Sequence, residues 1–188
     1  MERERVRIFF LWVTEMTNSS GMGVITLTDV HKKRSLNVIC DKYAKEQLLL
    51  RTNEVVICSK LLPEVLTGIL NLQFDPHEIY IHIYGVEDGE YQVWVRDVTN
   101  CIRTPIRFSD AVLLSVVASL PIYIDSQLMQ LQSQPFVDYR RQADAQAGIP
   151  INTLSVERLK TELQNAIDRE DFRKADLIDK ELKRRTKK

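Results

Sequence analysis

The residues best placed to do chemistry are Arg107, Ser109 and Asp110, which lie within four consecutive positions. They stand where a predicted strand, Cys101–Phe108, meets an apolar predicted helix, Ala111–Leu120. Such a junction brings together unpaired backbone N–H groups, a carboxylate and a guanidinium, which can bind a phosphate or hold a divalent ion. A structural alternative stays open, in which Ser109 or Asp110 caps the helix and Arg107 pairs with Asp110.

The rest of the chain carries none of the common enzyme signatures. It has no Gly-rich phosphate loop, no Cys-x-x-Cys, no His-Glu-x-x-His and no nucleophile elbow. His82 falls in an alternating strand and is predicted to be a surface or interface residue, whereas His31 and His77 fall in a hairpin tip and a loop. Any chemistry is therefore expected around Asp110.

Composition sets wider bounds. The chain has 188 residues, which suggests one domain plus an appendage or two small domains. Its 26 Lys and Arg balance 26 Asp and Glu, so net charge gives no case for nucleic acid, although residues 173–188 hold eight basic and three acidic side chains. Cys40, Cys58 and Cys101 are scattered and odd in number, which indicates a reducing compartment rather than disulfides or zinc. No run is long enough to span a bilayer, so we predict a soluble cytoplasmic protein that has no membrane segment.

Periodicity predicts the elements that must position Asp110. Extended runs separated by turns predict strands, and the clearest is Glu78–Tyr84, which is followed by an Asp88-Gly89 hairpin turn. Helical spacing predicts helices over Lys42–Arg51, behind a capping Asp41, and over Leu61–Leu72. Hairpins dominate, so the fold class is α+β, with a mixed, largely antiparallel sheet and a few packed helices.

Aromatic and basic residues interleave in the two strands that flank the Asp88-Gly89 turn. They are Tyr80, Tyr84, Tyr91, Trp94 and Arg96. This pattern suits a nucleic-acid face, a subunit interface or a core, and the sequence leaves the three alternatives open.

The C-terminal segment predicts an antiparallel helical hairpin. One apolar stripe runs along each half: Leu159, Leu163, Ala166 and Ile167 in the first, and Phe172, Ala175, Ile178 and Leu182 in the second. Ser155 and Asp171 are the predicted N-caps. About thirty residues bury too little apolar surface to be stable alone, so the hairpin needs a copy of itself, another protein or its own body.

A change of texture separates this hairpin from the body. Gln, Ala, Asp, Pro and Gly dominate from Ser133 to Pro150 and no apolar period survives, which predicts a flexible, partly disordered linker. The predicted domains are residues 1–132, a linker over 133–153, and the hairpin over 154–188. A linker of this kind disfavours docking of the hairpin on its own body.

Two resemblances to known families follow from these residues. The pattern Leu-Lys-x-Glu-Leu-x-x-Ala-Ile-x-x-Glu-Asp-Phe-x-x-Ala, at Leu159–Ala175, resembles the UVR motif. In the excision-repair proteins UvrB and UvrC such hairpins mediate association, so the resemblance implies a protein partner and a DNA-repair context. Arg107–Ala111, with the apolar helix and Pro121-Ile122-Tyr123 behind it, is similar to the core of the bifunctional nuclease (BFN) family. The segments Gly23–Asp29 and Leu36–Ile39 also look like that family.

The BFN resemblance implies a nuclease that degrades DNA, RNA or both, and we separately expect the chain to form a homo-oligomer. We expect metal-assisted phosphodiester hydrolysis, with Asp110 as ligand or base, Arg107 as phosphate clamp and Ser109 supplying a hydroxyl and a backbone amide. Glu46 and Glu64 are the further carboxylates expected to hold Mg²⁺ or Mn²⁺ with Asp110.

The chain also departs from typical members of the family. Phe108 stands where they carry Pro, Ala44 lies near the position of their Glu, and Leu61–Glu64 replaces a Thr-His-Asp run. Asp41, Glu46 and Glu64 can replace these groups only where the fold brings them to Asp110. The alternative function is therefore a non-catalytic, oligomeric binding or regulatory module that is recruited through the hairpin.

Overall fold

The computed structural model describes residues 4–16, 21–53, 56–71, 78–138 and 148–186, so His77 and most of the predicted linker lie outside it. Within these residues, eight strands form one sheet: β1 Arg5–Glu15, β2 Gly23–Asp29, β3 Arg34–Cys40, β4 Ile79–Glu87, β5 Glu90–Asp97, β6 Ile102–Ile106, β7 Ile122–Asp125 and β8 Gln134–Pro135. The helices are α1 Lys42–Thr52, α2 Leu62–Asn71, α3 Phe108–Ala118, α4 Ser126–Gln132, α5 Val156–Asp168 and α6 Phe172–Thr186.

The strand order is β6-β5-β4-β7-β1-β2-β3-β8. The pairing of β4 with β7 is parallel, and the other recorded pairings are antiparallel. The predicted α+β class with a mixed, largely antiparallel sheet is therefore confirmed. Strand β7 lies between β4 and β1, so an element late in the chain joins the two hairpin systems that precede it.

One face of the sheet carries the apolar core. Strand residues such as Ile25, Ile81 and Ile124 are fully buried there. Leu48 of α1 and Val112 of α3 pack on them. Removing this apolar surface from water stabilises the body and holds α1 and α3 on a single face. Both helices therefore begin from fixed positions on the sheet.

The opposite face is divided into two halves. Over β1–β3 it is covered by the chain's own C-terminal part: Phe136 lies against Trp12 with ring centroids 5.9 Å apart, and the Asn37 amide donates to the Gly148 carbonyl at 3.2 Å. Over β7, β4, β5 and β6 it carries tyrosine, tryptophan and arginine side chains. The two halves therefore have different chemistry on one continuous surface.

Both described ends of the predicted linker contain regular secondary structure. Strand β8 pairs with β3, with Pro135 opposite Arg34, and Arg34 donates from Nε to the Ser133 hydroxyl at 2.6 Å. The physical reason is that the edge strand β3 exposes backbone groups that a further strand satisfies. Residues 151–153 form a 3-10 turn just ahead of α5.

The hairpin also docks on the body, contrary to expectation. The fully buried Leu159 and Ile178 form an apolar cluster with Leu154, and Ile39 of β3 packs against that cluster. The β4–β5 turn lies close by, since a Cβ on Gly89 would be 3.2 Å from the Leu154 carbonyl oxygen. The apolar stripe therefore finds part of its third surface within the same chain. The N-caps Ser155 and Asp171 are confirmed, because they accept from the amides of Arg158 and Lys174.

Arg185 anchors the hairpin to the segment before it. Its Nη1 donates to the Leu154 carbonyl at 2.7 Å and its Nη2 to the Asn152 carbonyl at 2.9 Å. Glu181 orients this guanidinium, accepting from Arg185 Nε at 2.8 Å, and also binds Arg184. Hydrogen bonds from Arg184, and then from Arg185, lower the pKa of Glu181 below its ordinary value of 4.5.

We expect docking of the hairpin to depend on pH through Glu181. Because the pKa of Glu181 is lowered in the folded chain, its contribution is complete above the unfolded value of 4.5 and is lost as pH falls through the lowered folded value. Hydrogen exchange of α6 amides, corrected for intrinsic rates, checks this by comparing the wild type with Glu181→Gln between pH 6 and about pH 3. The difference in protection between the two proteins should shrink on acidification. A constant difference would contradict the assignment.

Among the described helices, none combines the length and the apolar character that crossing a bilayer demands.

Candidate functional site

The beginnings of α1 and α3 meet at one corner of the molecule. Asp41 is the N-cap of α1 and Arg107 is the N-cap of α3. Arg107 donates from Nε to Asp110 Oδ2 at 2.7 Å and from Nη2 to Asp110 Oδ1 at 3.0 Å. Its Nη1 lies 3.6 Å from Asp41 Oδ2. A guanidinium whose side chain is 66% exposed is therefore held between two carboxylates.

The electrostatics of this corner follow from that arrangement. The hydrogen bond to Asp110, followed by the charges of Asp110, Asp41 and Glu90, raises the pKa of Arg107. The ion pair is open to solvent, so it contributes little to folding stability and can rearrange when an anion approaches. Ser109 is half-buried in the first turn of α3, where backbone N–H groups have no partner inside the helix.

The predicted cap of α3 is wrong. The helix begins at Phe108, and Ser109 and Asp110 lie inside its first turn instead of ahead of it. Phe108 is buried and packs against Tyr91 with ring centroids 5.1 Å apart. This core packing accounts for a helix that begins earlier in the chain than predicted. The predicted pairing of Arg107 with Asp110 is confirmed.

The predicted metal ligands are not brought together. Glu64 binds Arg51, with Nη2 2.8 Å from Oε2, and so ties α2 to α1. Glu46 lies on α1 beside Lys42, with Nζ 3.9 Å from Oε1. Asp41, which the sequence offered as a substitute, is the carboxylate that reaches the corner. Over the ranges that the structure describes, no group of three or more His, Cys, Asp and Glu side chains is arranged to hold a metal ion.

A second cluster lies on the open half of the opposite sheet face. We call it the aromatic–arginine face, and it consists of Arg5, Tyr80, Trp94, Arg96, Arg103 and Tyr123. These residues come from β1, β4, β5, β6 and β7, and the strand register places them on one side of the sheet. Tyr80, Trp94 and Arg96, which interleave in the sequence, therefore lie together on one surface, whereas Tyr91 points into the core.

Arginines lie over the rings of this face. The guanidinium carbons of Arg5 and Arg96 are 5.2 and 5.6 Å from the Tyr80 ring centroid, and that of Arg103 is 5.3 Å from the Trp94 centroid. Arg5 also donates to the Tyr80 hydroxyl. Tyr123 meets Tyr80 edge to face at 5.5 Å. Cation–π attraction of this kind holds the guanidinium groups against the rings.

Sequence reasoning missed a buried dyad beneath this face. His82 Nε2 lies 2.7 Å from Asp125 Oδ1, and the exposed fractions of the two residues are only 8% and 4%. The prediction of His82 as a surface or interface residue is therefore wrong. Strand alternation indicated the correct face, but the parallel pairing of β4 with β7, which brings Asp125 to His82, left no signal in the local sequence.

Two other reactive side chains are held in the core. Burial raises the pKa of the Cys40 thiol to about 11, so it is not a thiolate at neutral pH and is a poor nucleophile. Burial also raises the pKa of Tyr91. Neither side chain belongs to the corner or to the aromatic–arginine face.

No protein-family model matches the chain, and a search of curated proteins finds no relative. The resemblances to the BFN family and to the UVR motif therefore stay predictions that rest on the residues quoted for them.

Proposed function

We propose that this protein hydrolyses phosphodiester bonds of DNA or RNA at the corner where α1 and α3 begin. The observation that supports this best is the exposed Arg107 guanidinium held between Asp41 and Asp110. A phosphodiester brings a negative charge that a guanidinium binds in a planar, bidentate manner. Arg107 is free to turn from the carboxylates to the phosphate, because its side chain is largely exposed.

Each residue of the corner then has a distinct task. Arg107 clamps the phosphate, and the amide and hydroxyl of Ser109, at the positive end of α3, stabilise charge that develops on its oxygens. Asp110, once released by Arg107, accepts a proton from the water that attacks phosphorus; the P–O bond to the leaving sugar oxygen then breaks, and that oxygen takes a proton from solvent. The side chain of Asp41 is held by the amide of Ala44 at 2.7 Å, so its carboxylate is already oriented.

The corner also fits a divalent cation. Asp41 and Asp110 already converge on one positive group, the Arg107 guanidinium, and Mg²⁺ is commonly held by one or two carboxylates together with water. When bound, Mg²⁺ or Mn²⁺ would supply Lewis acidity and charge neutralisation at the phosphate.

A cleavage assay tests the proposal. The full chain is incubated with single-stranded DNA, duplex DNA and RNA, each with Mg²⁺, with Mn²⁺ and with a chelator. Asp110→Asn, which keeps the shape of the side chain, should lower the cleavage rate about tenfold or more. The matched control is Asp176→Asn, an exposed carboxylate of α6 that binds Lys180 and should leave the rate unchanged.

Two results would contradict the site. Cleavage that survives Asp110→Asn unchanged would exclude Asp110 as the base, and an absence of cleavage on all three substrates would exclude hydrolysis under these conditions.

The second candidate function is a non-catalytic binding module that acts through the hairpin. It is favoured by exposed apolar side chains on α5 and α6, with exposed fractions of 46% for Ile167, 70% for Phe172 and 56% for Leu177. The stripe predicted to include Phe172 therefore stays partly in water even though Ile178 is buried. A protein partner or a second copy of this chain would cover it.

A further inference from the structure

We propose that the aromatic–arginine face is a binding surface for single-stranded nucleic acid, separate from the corner. The corner lies on the helix-covered side of the sheet, where α1 and α3 begin, and this face lies on the other side. Binding at this face is distinct from the proposed hydrolysis and does not depend on cleavage at the corner.

The chemistry of the face matches an unpaired strand. Single-strand binders combine a positive surface that follows the backbone with aromatic side chains on which bases stack. Bases also stack on arginine guanidinium planes. Arg103 lies over Trp94, which Tyr84 also stacks on at 3.8 Å, and Arg96 lies over Tyr80, so the arginines and rings of this face lie side by side. The face is built from neighbouring strands, so successive bases meet successive platforms.

The charge of the face is largely uncompensated. Arg96 and Arg103, together with the adjacent Arg7, form no ion pair with a carboxylate in the part of the chain that the structure describes. Asp125 lies among these strands but is buried against His82. A polyanion neutralises this charge and releases its own counterions on binding.

The same charge argues against the other occupants. A second copy of the chain docked face to face would bring like charges together, which is costly in an interface. A duplex keeps the faces of its bases stacked inside, so it offers the arginines only phosphates and base edges, and no base face for stacking. Among the described residues, Phe136 and Gly148 already lie over β1–β3, so the ligand would bind over β7, β4, β5 and β6.

The two tryptophans make the surface directly testable. Trp94 lies on the face, whereas Trp12 is buried under Phe136 on the covered half. We would add an oligothymidine of about 12 nucleotides, a length within the usual range of single-strand sites. All proteins would carry Asp110→Asn and the buffer would contain a chelator, so that the oligonucleotide is not cleaved during the measurement. The protein with Trp94→Phe, which retains only Trp12, should show no fluorescence quenching, and the protein with Trp12→Phe should show quenching.

Affinity measurements provide a second, independent readout. By fluorescence anisotropy, Arg103→Gln should reduce the slope of log affinity against log salt by about 0.7, the value for one phosphate contact on a single strand. Trp94→Leu removes the ring that holds Arg103 and should weaken binding about tenfold, the loss expected for one stacking platform. Arg173→Gln, an exposed arginine of α6, is the matched control and should leave the slope unchanged.

Three results would overturn the proposal: quenching from Trp12 alone, affinity for a duplex equal to that for the single strand, or an equal effect of Arg103→Gln and Arg173→Gln. Because binding is measured with Asp110 substituted and without metal, its failure is distinct from a failure of the proposed hydrolysis.

Discussion

Leu159→Ala is expected to weaken docking of the helical hairpin by about 3 kcal/mol, within the usual range for a leucine removed from a packed core. Leu159 is fully buried in the cluster with Leu154 and Ile178, so truncation loses both its apolar burial and the contacts around it. Hydrogen exchange measures the effect directly, because amides of α5 and α6 report local opening. Their protection should fall more than about a hundredfold while that of the central strands stays the same.

The control for this prediction lies in the same hairpin. Leu177→Ala makes the same chemical change at a side chain that is 56% exposed, and should alter protection by less than about 0.5 kcal/mol. Equal effects of the two substitutions would show that the hairpin is not docked as described.

Asp125→Ala is expected to destabilise the whole body by about 2–3 kcal/mol. The substitution leaves His82 Nε2 buried without an acceptor, in a ring whose Nδ1 already has no hydrogen-bond partner in the described part of the chain. A buried polar group deprived of its partner carries its full desolvation cost. Urea denaturation measures the effect as a lower midpoint at an unchanged slope.

Asp125→Asn separates the hydrogen bond from the charge. The amide oxygen still accepts from the imidazole N–H, so the loss should be less than half of that for Asp125→Ala. Equal losses would indicate that an ion pair, rather than a hydrogen bond to a neutral ring, stabilises this part of the sheet.

Local sequence patterns were sufficient to predict most of the strands and helices. Strand alternation in Glu78–Tyr84 and the Asp88-Gly89 turn predicted the β4–β5 hairpin, because the period of two and the turn chemistry both act over a few residues. The cap of α1 by Asp41 was also predicted, since the hydrogen bond spans only three positions. The position of α3 was predicted less well, because burial of Phe108 against Tyr91 depends on a distant strand.

The candidate site was predictable only in part. The pairing of Arg107 with Asp110 is a contact at three residues' distance and follows from sequence alone. Which of Asp41, Glu46 and Glu64 reaches Arg107 depends on the positions of α1 and α3 on the sheet, and only Asp41 is seen to contact it among the described residues. Sequence alone could not exclude Glu64 from the corner. Its ion pair with Arg51 joins α2 to α1, and the packing of these two helices has no local signal in the sequence.

The sequence by itself determined the α+β class, the helical hairpin and the short-range contacts of Arg107, because period, capping and turn chemistry act between near neighbours. Only the tertiary structure decided what those elements meet. It inserted β7 beside β4, and so placed Asp125 on His82 and assembled the aromatic–arginine face from five strands. It also brought the hairpin back onto Ile39. These contacts join residues far apart in the chain, and their free energy comes from burial and pairing that exist only once the sheet has formed.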